Sequence, residues 1–136
     1  MSRMLKLLIV MIGGAALAAV VFRLGLEQRV AGLIAGSGFI FVGLYGVRTG
    51  LFEKTNRHLS WAVLGMALVH LLGVALPMLG FRLLHWNEPF STVAVWGLSG
   101  PEFHQLSTRL YGLWLALVLV TWLVGRSKRA KSRRRH

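Results

Sequence analysis

The 136-residue chain has no cysteine and no aspartate, and its only acidic side chains are four glutamates. Without cysteine, the protein has no disulfide, thiolate zinc site, thiol nucleophile, iron–sulfur cluster or c-type haem attachment. The sequence also lacks a Walker loop, a glycine-rich nucleotide-binding turn, H-E-x-x-H and G-x-S-x-G. An acid–base enzyme would have to be built from four glutamates and five histidines. These absences favour a role that is not enzymatic.

The chain is instead rich in apolar and basic residues. It is 55% hydrophobic, with a mean hydropathy of +0.62 and a net charge of +12. Four apolar runs are each long enough to cross a bilayer, which takes about 20 residues, and none has a polar face. The runs cover residues 5–22, 30–47, 59–79 and 106–124. We therefore predict an all-α integral membrane protein, with a four-transmembrane-helix domain over residues 1–125 and a basic cytoplasmic tail over residues 126–136.

The connections between these runs predict their arrangement. The first two are short and favour antiparallel neighbours, which gives an up-down bundle. The third is a long outer loop from Gly80 to Gln105, and loops of that length are usually functional or mobile. Within it, the apolar segment Thr92–Leu98 is too short to span, so we expect it to lie at the outer surface or to be partly re-entrant. Ser99 and Glu102 have the spacing of a helix capping box, which places the start of the fourth helix near Ser99.

Basic residues predict the orientation. Of the 16 Lys and Arg residues, twelve lie at the N-terminus, in the second connection and in the tail, and four lie on the opposite side. The positive-inside rule then places both termini in the cytoplasm, and we expect a bacterial plasma (inner) membrane. An alternative stays open, because Ala16-Leu17-Ala18 resembles a signal-peptidase site. Cleavage there would remove the first helix and leave the other three in place.

The second helix carries five glycines on one face. On a helix of 3.6 residues per turn they fall within a sector of about 80°. They are Gly32, Gly36, Gly43, Gly46 and Gly50. Small residues at this spacing let helix backbones approach closely in lipid. The contact is either with the first or third helix of the same chain, or with a homo-oligomer partner or another membrane subunit. Leucine at position 36 or position 43 is expected to disrupt it.

His70 is the only histidine near the middle of an apolar run, where an ionisable group is costly. It could ligate haem, hydrogen-bond a quinone or relay protons. No other helix has a histidine at that depth, which argues against a bis-histidine haem. The alternative is a neutral structural histidine bonded to Ser37, Thr121 or a backbone carbonyl. Pro77 has no N–H, so we expect it to free the carbonyl of Gly73.

Four residues of the outer side could bind a divalent metal such as Zn²⁺, Mn²⁺ or Fe²⁺. They are His85, Glu88, Glu102 and His104. Imidazole and carboxylate suit such borderline cations, but no recognised metal-site spacing is matched. Solvated loop residues are the simpler interpretation.

The tail has no interleaved aromatic residues and no folded module around it, which disfavours nucleic-acid binding. We expect it to bind anionic lipids at the membrane surface. No glutamate lies inside a predicted span, which disfavours proton-coupled transport. The sequence thus predicts a non-catalytic accessory or assembly subunit of a membrane complex, without a cofactor. The alternative is a redox-associated membrane protein that binds haem, quinone or a metal through its histidines.

Overall fold

A computed structural model of the chain describes residues 1–135. It is 83% helical and has four helices long and apolar enough to cross a membrane, as predicted. The first two are α1 (Arg3–Arg23) and α2 (Gln28–Phe52). The third is continuous over Arg57–Leu84 and comprises α3 (Arg57–Leu68), a π-helical segment (Val69–Ala75) and α4 (Leu76–Leu84). The fourth is α5 (Gly100–Arg134).

All four helices extend beyond the predicted apolar runs, because polar residues cap and continue them. The Ser2 hydroxyl accepts a hydrogen bond from the Leu5 amide, and the Asn56 side chain accepts one from the Leu59 amide. At α5 the predicted capping box is confirmed, with Ser99 and Glu102 bonding each other's backbone amides. These caps satisfy amides that have no partner within the helix.

The helix does not end where the predicted tail begins at residue 126, since α5 continues to Arg134. Lysine and arginine are good helix formers, and basic residues in the last turn interact favourably with the helix dipole. The basic segment is therefore a helical extension over residues 126–134. His136, the last residue of the predicted tail, lies outside the described residues.

The third connection is shorter than predicted, covering residues 85–99 instead of 80–105. It contains a 3₁₀ turn (Phe90–Thr92) and an antiparallel hairpin of β1 (Ala94–Val95) and β2 (Leu98–Ser99). Trp96 and Gly97 form the turn, both with positive φ, at 53° and 77°. Two-residue hairpin turns of this kind match the twist of the strands.

The hairpin packs against the side of the third helix. Val93, Val95 and Phe103 form a small buried cluster that contacts the π-helical segment and α4. The Trp96 indole donates a hydrogen bond to the Gly73 carbonyl at 2.9 Å. This is the carbonyl that Pro77 was expected to free. The segment over residues 92–98 is thus hydrogen-bonded to the π-helical part of the third helix, well before that helix ends at Leu84.

The largest core lies in the half of the molecule that holds the chain termini, which we call the termini half. The start of α1, the end of α2, α3 and the middle of α5 meet there around the fully buried Trp114. The core residues are Met4, Leu7, Met11, Val42, Val63, Ala67, Trp114 and Val118. The opposite half, which we call the loop half, holds the hairpin, α4 and the start of α5. Large apolar side chains such as Phe41, Leu72 and Leu113 point outward, as lipid-facing residues do.

Candidate functional site

A cavity of about 550 Å³ lies between the four helices in the loop half, and we call it the loop-half cavity. Gln28, Arg82 and His104 line it at the end of the molecule, and His70 and Tyr111 line it toward the middle. Its volume falls within the range of small-molecule sites, roughly 300–1,000 Å³. The cavity combines apolar walls with a few polar groups, which is the usual composition of a ligand site.

Small residues on two helices make this space. Six of them line the cavity, from α1 and α2: Ala15, Ala18, Ala19, Gly32, Ala35 and Gly36. A Cβ atom at Gly32 would lie 3.4 Å from the Arg82 Nε, and one at Gly36 would lie 3.4 Å from the Leu79 Cδ1. In both cases the neighbour is the far end of a flexible side chain, which can move, and both glycines line the cavity.

The other three glycines of the same face are tightly packed. A Cβ atom at Gly43 would lie 3.0 Å from Leu71, and one at Gly50 would lie 2.8 Å from the Leu64 Cα. At Gly46 it would collide with the Trp114 ring. The predicted packing face of α2 therefore contacts the same chain over Gly43–Gly50, whereas Gly32 and Gly36 line the cavity.

His70 lies in the first turn of the widened, π-helical part of the third helix. Its side chain is 6% exposed, and its Nε2 lies 3.2 Å from the Phe39 carbonyl oxygen. A carbonyl can only accept, so Nε2 donates to it, and in the neutral ring Nδ1 is then the acceptor nitrogen. Of the three partners considered from the sequence, the structure selects a backbone carbonyl, since Thr121 donates instead to Leu117. π-Helical segments occur frequently at functional sites.

Aromatic rings surround His70, and two of them, Phe39 and Tyr111, form the floor of the cavity with it. Its ring centroid lies 5.1 Å from that of Trp114, 5.5 Å from that of Tyr111 and 6.0 Å from that of Phe39. The Tyr111 hydroxyl donates to the Met11 carbonyl at 2.6 Å. The Trp114 Nε1 is buried and has no partner among residues 1–135. The His70 Nε2 and the Tyr111 hydroxyl, which belong to the floor, are thus both bonded to helix carbonyls, and these bonds hold the two rings in place.

Arg82 is the cation at the other end of the cavity. Its guanidinium lies over the Phe90 ring, 4.7 Å from the ring centroid, in a cation–π contact. Within the described part of the chain the ion pairs are Arg29–Glu27 and His85–Glu88, so Arg82 has no carboxylate partner there. The half-buried guanidinium therefore leaves a positive charge uncompensated beside the cavity.

The four residues predicted as metal ligands do not come together at one site, and they make different contacts. The His85 Nδ1 lies 3.0 Å from a Glu88 carboxylate oxygen, and the His85 ring stacks on Phe81. Glu102 caps α5, whereas His104 lines the cavity. Within residues 1–135, no three histidine or glutamate side chains gather into a metal-binding group.

Sequence reasoning did not single out Arg82 and Tyr111 as site residues. A signal for Arg82 exists, because it lies only three residues beyond a predicted span, and charges at membrane depth usually mark function. In the sequence, Arg82 contributes only to the count of basic residues that predicts the orientation. Tyr111 gives no comparable signal, because tyrosine is common near helix ends in membranes.

A second cavity, of about 510 Å³, lies at the end that holds the termini. Glu53 lines it and is 9% exposed. One Glu53 oxygen accepts three hydrogen bonds, from the Lys54 amide at 3.1 Å, the Thr55 amide at 3.1 Å and the Thr55 hydroxyl at 2.7 Å. Burial alone would raise the pKa of Glu53, but these bonds and the charge of Arg129 together lower it below its ordinary 4.5. This carboxylate faces the basic extension of α5.

No protein-family model, curated protein or solved structure matches the chain.

Proposed function

We propose that the protein is a non-catalytic accessory or assembly subunit of a bacterial plasma-membrane complex. Its four helices form an up-down bundle with both termini in the cytoplasm. The connection over residues 85–99 then lies on the outer side, and α1 stays uncleaved as the first span.

The observation that carries this proposal is the use of the polar groups inside the helices. His70 bonds the Phe39 carbonyl, Tyr111 bonds the Met11 carbonyl, and Thr121 bonds a carbonyl of its own helix. The first two bonds each join two helices. Such bonds stabilise helix association in lipid. Apolar side chains supply little driving force there, because the acyl chains they would leave are as apolar as the neighbouring helix. Polar groups used in this way support a packed scaffold more readily than a reaction centre.

Charge supports the orientation and the lipid contacts. At the end that holds the termini, Arg126, Arg129 and Arg133 line one side of the α5 extension. Arg3 donates a hydrogen bond to the Phe52 carbonyl at the same end. Basic residues beside a membrane helix favour the cytoplasmic side and bind anionic lipids, at about 1 kcal/mol for each residue near the surface.

The experiment that tests the role is affinity purification of the tagged chain in mild detergent, followed by native mass spectrometry. We expect a defined complex with a stoichiometric membrane partner, or a homo-oligomer. An unrelated four-span protein with the same tag serves as the control. A chain that purifies only as a monomer at native expression would contradict the proposal.

Topology is tested separately with reporter fusions. A fusion after His136 and one within residues 92–98 are expected to report opposite sides of the membrane. Identical reports would contradict the up-down bundle.

A second candidate is a redox-associated protein, favoured by the position of His70 at the loop-half cavity. Of haem, quinone and metal, the cavity suits a quinone best. A haem needs axial ligands, and His70 already gives Nε2 to Phe39. An absorption spectrum and a metal analysis of the purified protein test this candidate. Stoichiometric metal that survives dialysis and is lost in a His85→Ala/His104→Ala double variant would place it first.

A further inference from the structure

We propose that the loop-half cavity binds one single-chain acidic amphiphile. Its anionic oxygen group, a carboxylate or a phosphate, would lie at Arg82, and its apolar tail would extend toward His70. This assignment goes beyond the accessory role and does not depend on which complex the protein joins.

Arg82 supplies the recognition of the head group. A guanidinium offers several donors in a plane that matches carboxylate or phosphate oxygens. Phe90 holds this plane on one side, and the nearest contact that a Cβ at Gly32 would make is the guanidinium itself. A side chain at position 32 would thus compete with the guanidinium for space. Gln28 and His104 line the same end of the cavity and add hydrogen-bonding groups near the head.

An uncompensated cation at this place calls for an anion. Leaving a half-buried charge without a partner near hydrocarbon is costly, and within residues 1–135 no carboxylate forms an ion pair with Arg82. The acidic head group of a ligand would supply the missing negative charge. A quinone would not, because its head group is neutral.

The walls beyond Arg82 suit an apolar tail. Alanines and glycines of α1 and α2 face Leu79 and Met78 of α4, and the aromatic floor closes the space at Phe39 and His70. Along α2, the eleven-residue distance from Gln28 to Phe39 corresponds to about 16 Å at 1.5 Å per residue. A cavity of this length and about 550 Å³ fits one alkyl chain, bent where the chain is longer than the cavity, and is too small for a two-chain phospholipid.

The test is equilibrium binding of radiolabelled palmitate to the purified full chain in an uncharged detergent. Lysophosphatidic acid provides the phosphate head, hexadecanol provides the same tail without charge, and inorganic phosphate provides the head without a tail. We expect both acids to bind at least tenfold more tightly than hexadecanol, and inorganic phosphate not to compete at millimolar concentration.

Two variants probe the two ends of the site. Arg82→Gln is expected to weaken binding of both acids about tenfold, and Arg82→Lys is expected to restore part of it. Gly36→Leu fills the tail region and is expected to weaken binding by a similar factor. Arg109→Gln and Gly65→Leu are the matched controls, because Arg109 does not line the cavity and a Cβ at Gly65 meets open space. Both are expected to bind within twofold of the natural chain.

The outcomes separate the alternatives. Tighter binding of palmitate identifies a carboxylate head, and tighter binding of lysophosphatidic acid identifies a phosphate head. Hexadecanol binding as tightly as palmitate, or palmitate binding unchanged in a folded Arg82→Gln variant, would overturn the proposal. A short-chain quinone could instead displace palmitate and bind with an affinity that Arg82→Gln does not change. That result would assign the cavity to the neutral ligand. If Gly36→Leu does not give a monodisperse protein, Ala19→Leu takes its place.

Discussion

The termini half and the loop half use the same kind of residues for opposite purposes. In the termini half, Gly46 and Gly50 bring α2 against Trp114 and the backbone of α3. In the loop half, Gly32 and Gly36 on the same face of the same helix border a cavity of about 550 Å³. Small residues remove bulk, and whether the result is a close contact or an empty space depends on what the neighbouring helix presents. A row of glycines therefore indicates a helix face without side-chain bulk and does not by itself show that another helix packs against that face.

The two halves also differ in what holds them together. The termini half is a core of large apolar side chains with Trp114 fully buried at its centre. The loop half depends on individual bonds, from His70 to Phe39 and from Trp96 to Gly73, and on the small cluster under the hairpin. We expect substitutions at the close helix contacts of the first region to cost the most stability, and substitutions in the second region to alter binding or local stability.

The largest effect is expected from Gly50→Leu. A Cβ at Gly50 would lie 2.8 Å from the Leu64 Cα, so a leucine there must push two helix backbones apart. Overpacking of this kind usually costs about 1–3 kcal/mol and occasionally more, and we expect about 3 kcal/mol because the obstacle is backbone. Size-exclusion profiles and thermal unfolding in detergent measure it. Gly65→Leu, which meets open space, is the matched control, and equal tolerance of the two variants would contradict the close contact.

A smaller effect is expected from Trp96→Phe. The substitution keeps an aromatic ring in the hairpin turn but leaves the Gly73 carbonyl without the indole donor. A helix carbonyl that loses its side-chain donor makes the loss about 1–2 kcal/mol. The melting temperature should fall by a few degrees, and the hairpin amides should exchange faster with deuterium. Phe90→Leu removes a ring from the same connection without removing a donor. Equal hydrogen exchange of the natural chain and Trp96→Phe would show that the bond does not hold the hairpin.

The smallest effect is expected from Glu53→Gln in the termini half. Because the pKa of Glu53 is lowered in the folded state, its stabilisation is present above its ordinary value of 4.5 and is lost as the pH falls through the folded-state pKa. At pH 7 the variant should be less stable by about 1 kcal/mol. The difference should shrink as the pH falls below 4.5. Thermal unfolding from pH 7 to pH 3 measures this, and a difference that is constant over that range would contradict the hydrogen-bonded carboxylate.

The helices themselves were readable from the sequence. Four long apolar runs and the Ser99–Glu102 spacing were sufficient to predict four spans and the start of α5, because lipid requires apolar faces and helix starts require caps. The extension of α5 to Arg134 was missed. Hydropathy identifies only the apolar part of a helix, whereas the lysines and arginines that follow also favour helical structure.

The candidate site was only partly readable. His70 was conspicuous as an ionisable residue within an apolar run, and it lines the cavity. Arg82 was counted only as a topology signal, and the hairpin of residues 94–99 had no periodic pattern long enough to identify it. The division of the glycine face into a packed part and an open part depends on which side chains oppose it. Those opposing residues come from other helices, so the pattern of α2 alone does not contain them.

The division of that face is tested most directly by comparing two single-cysteine variants, Gly36→Cys and Gly43→Cys, in the naturally cysteine-free chain. The two positions lie two turns apart on one face of α2, one at the cavity and one against Leu71. Labelling with a membrane-impermeant maleimide, added from the side of the connection over residues 85–99, reads out which position water reaches, because the reactive species is the solvated thiolate. We predict rapid labelling at position 36, slowed by palmitate, and at least tenfold slower labelling at position 43. Equal labelling rates at the two positions would contradict a packed termini half joined to an open loop half.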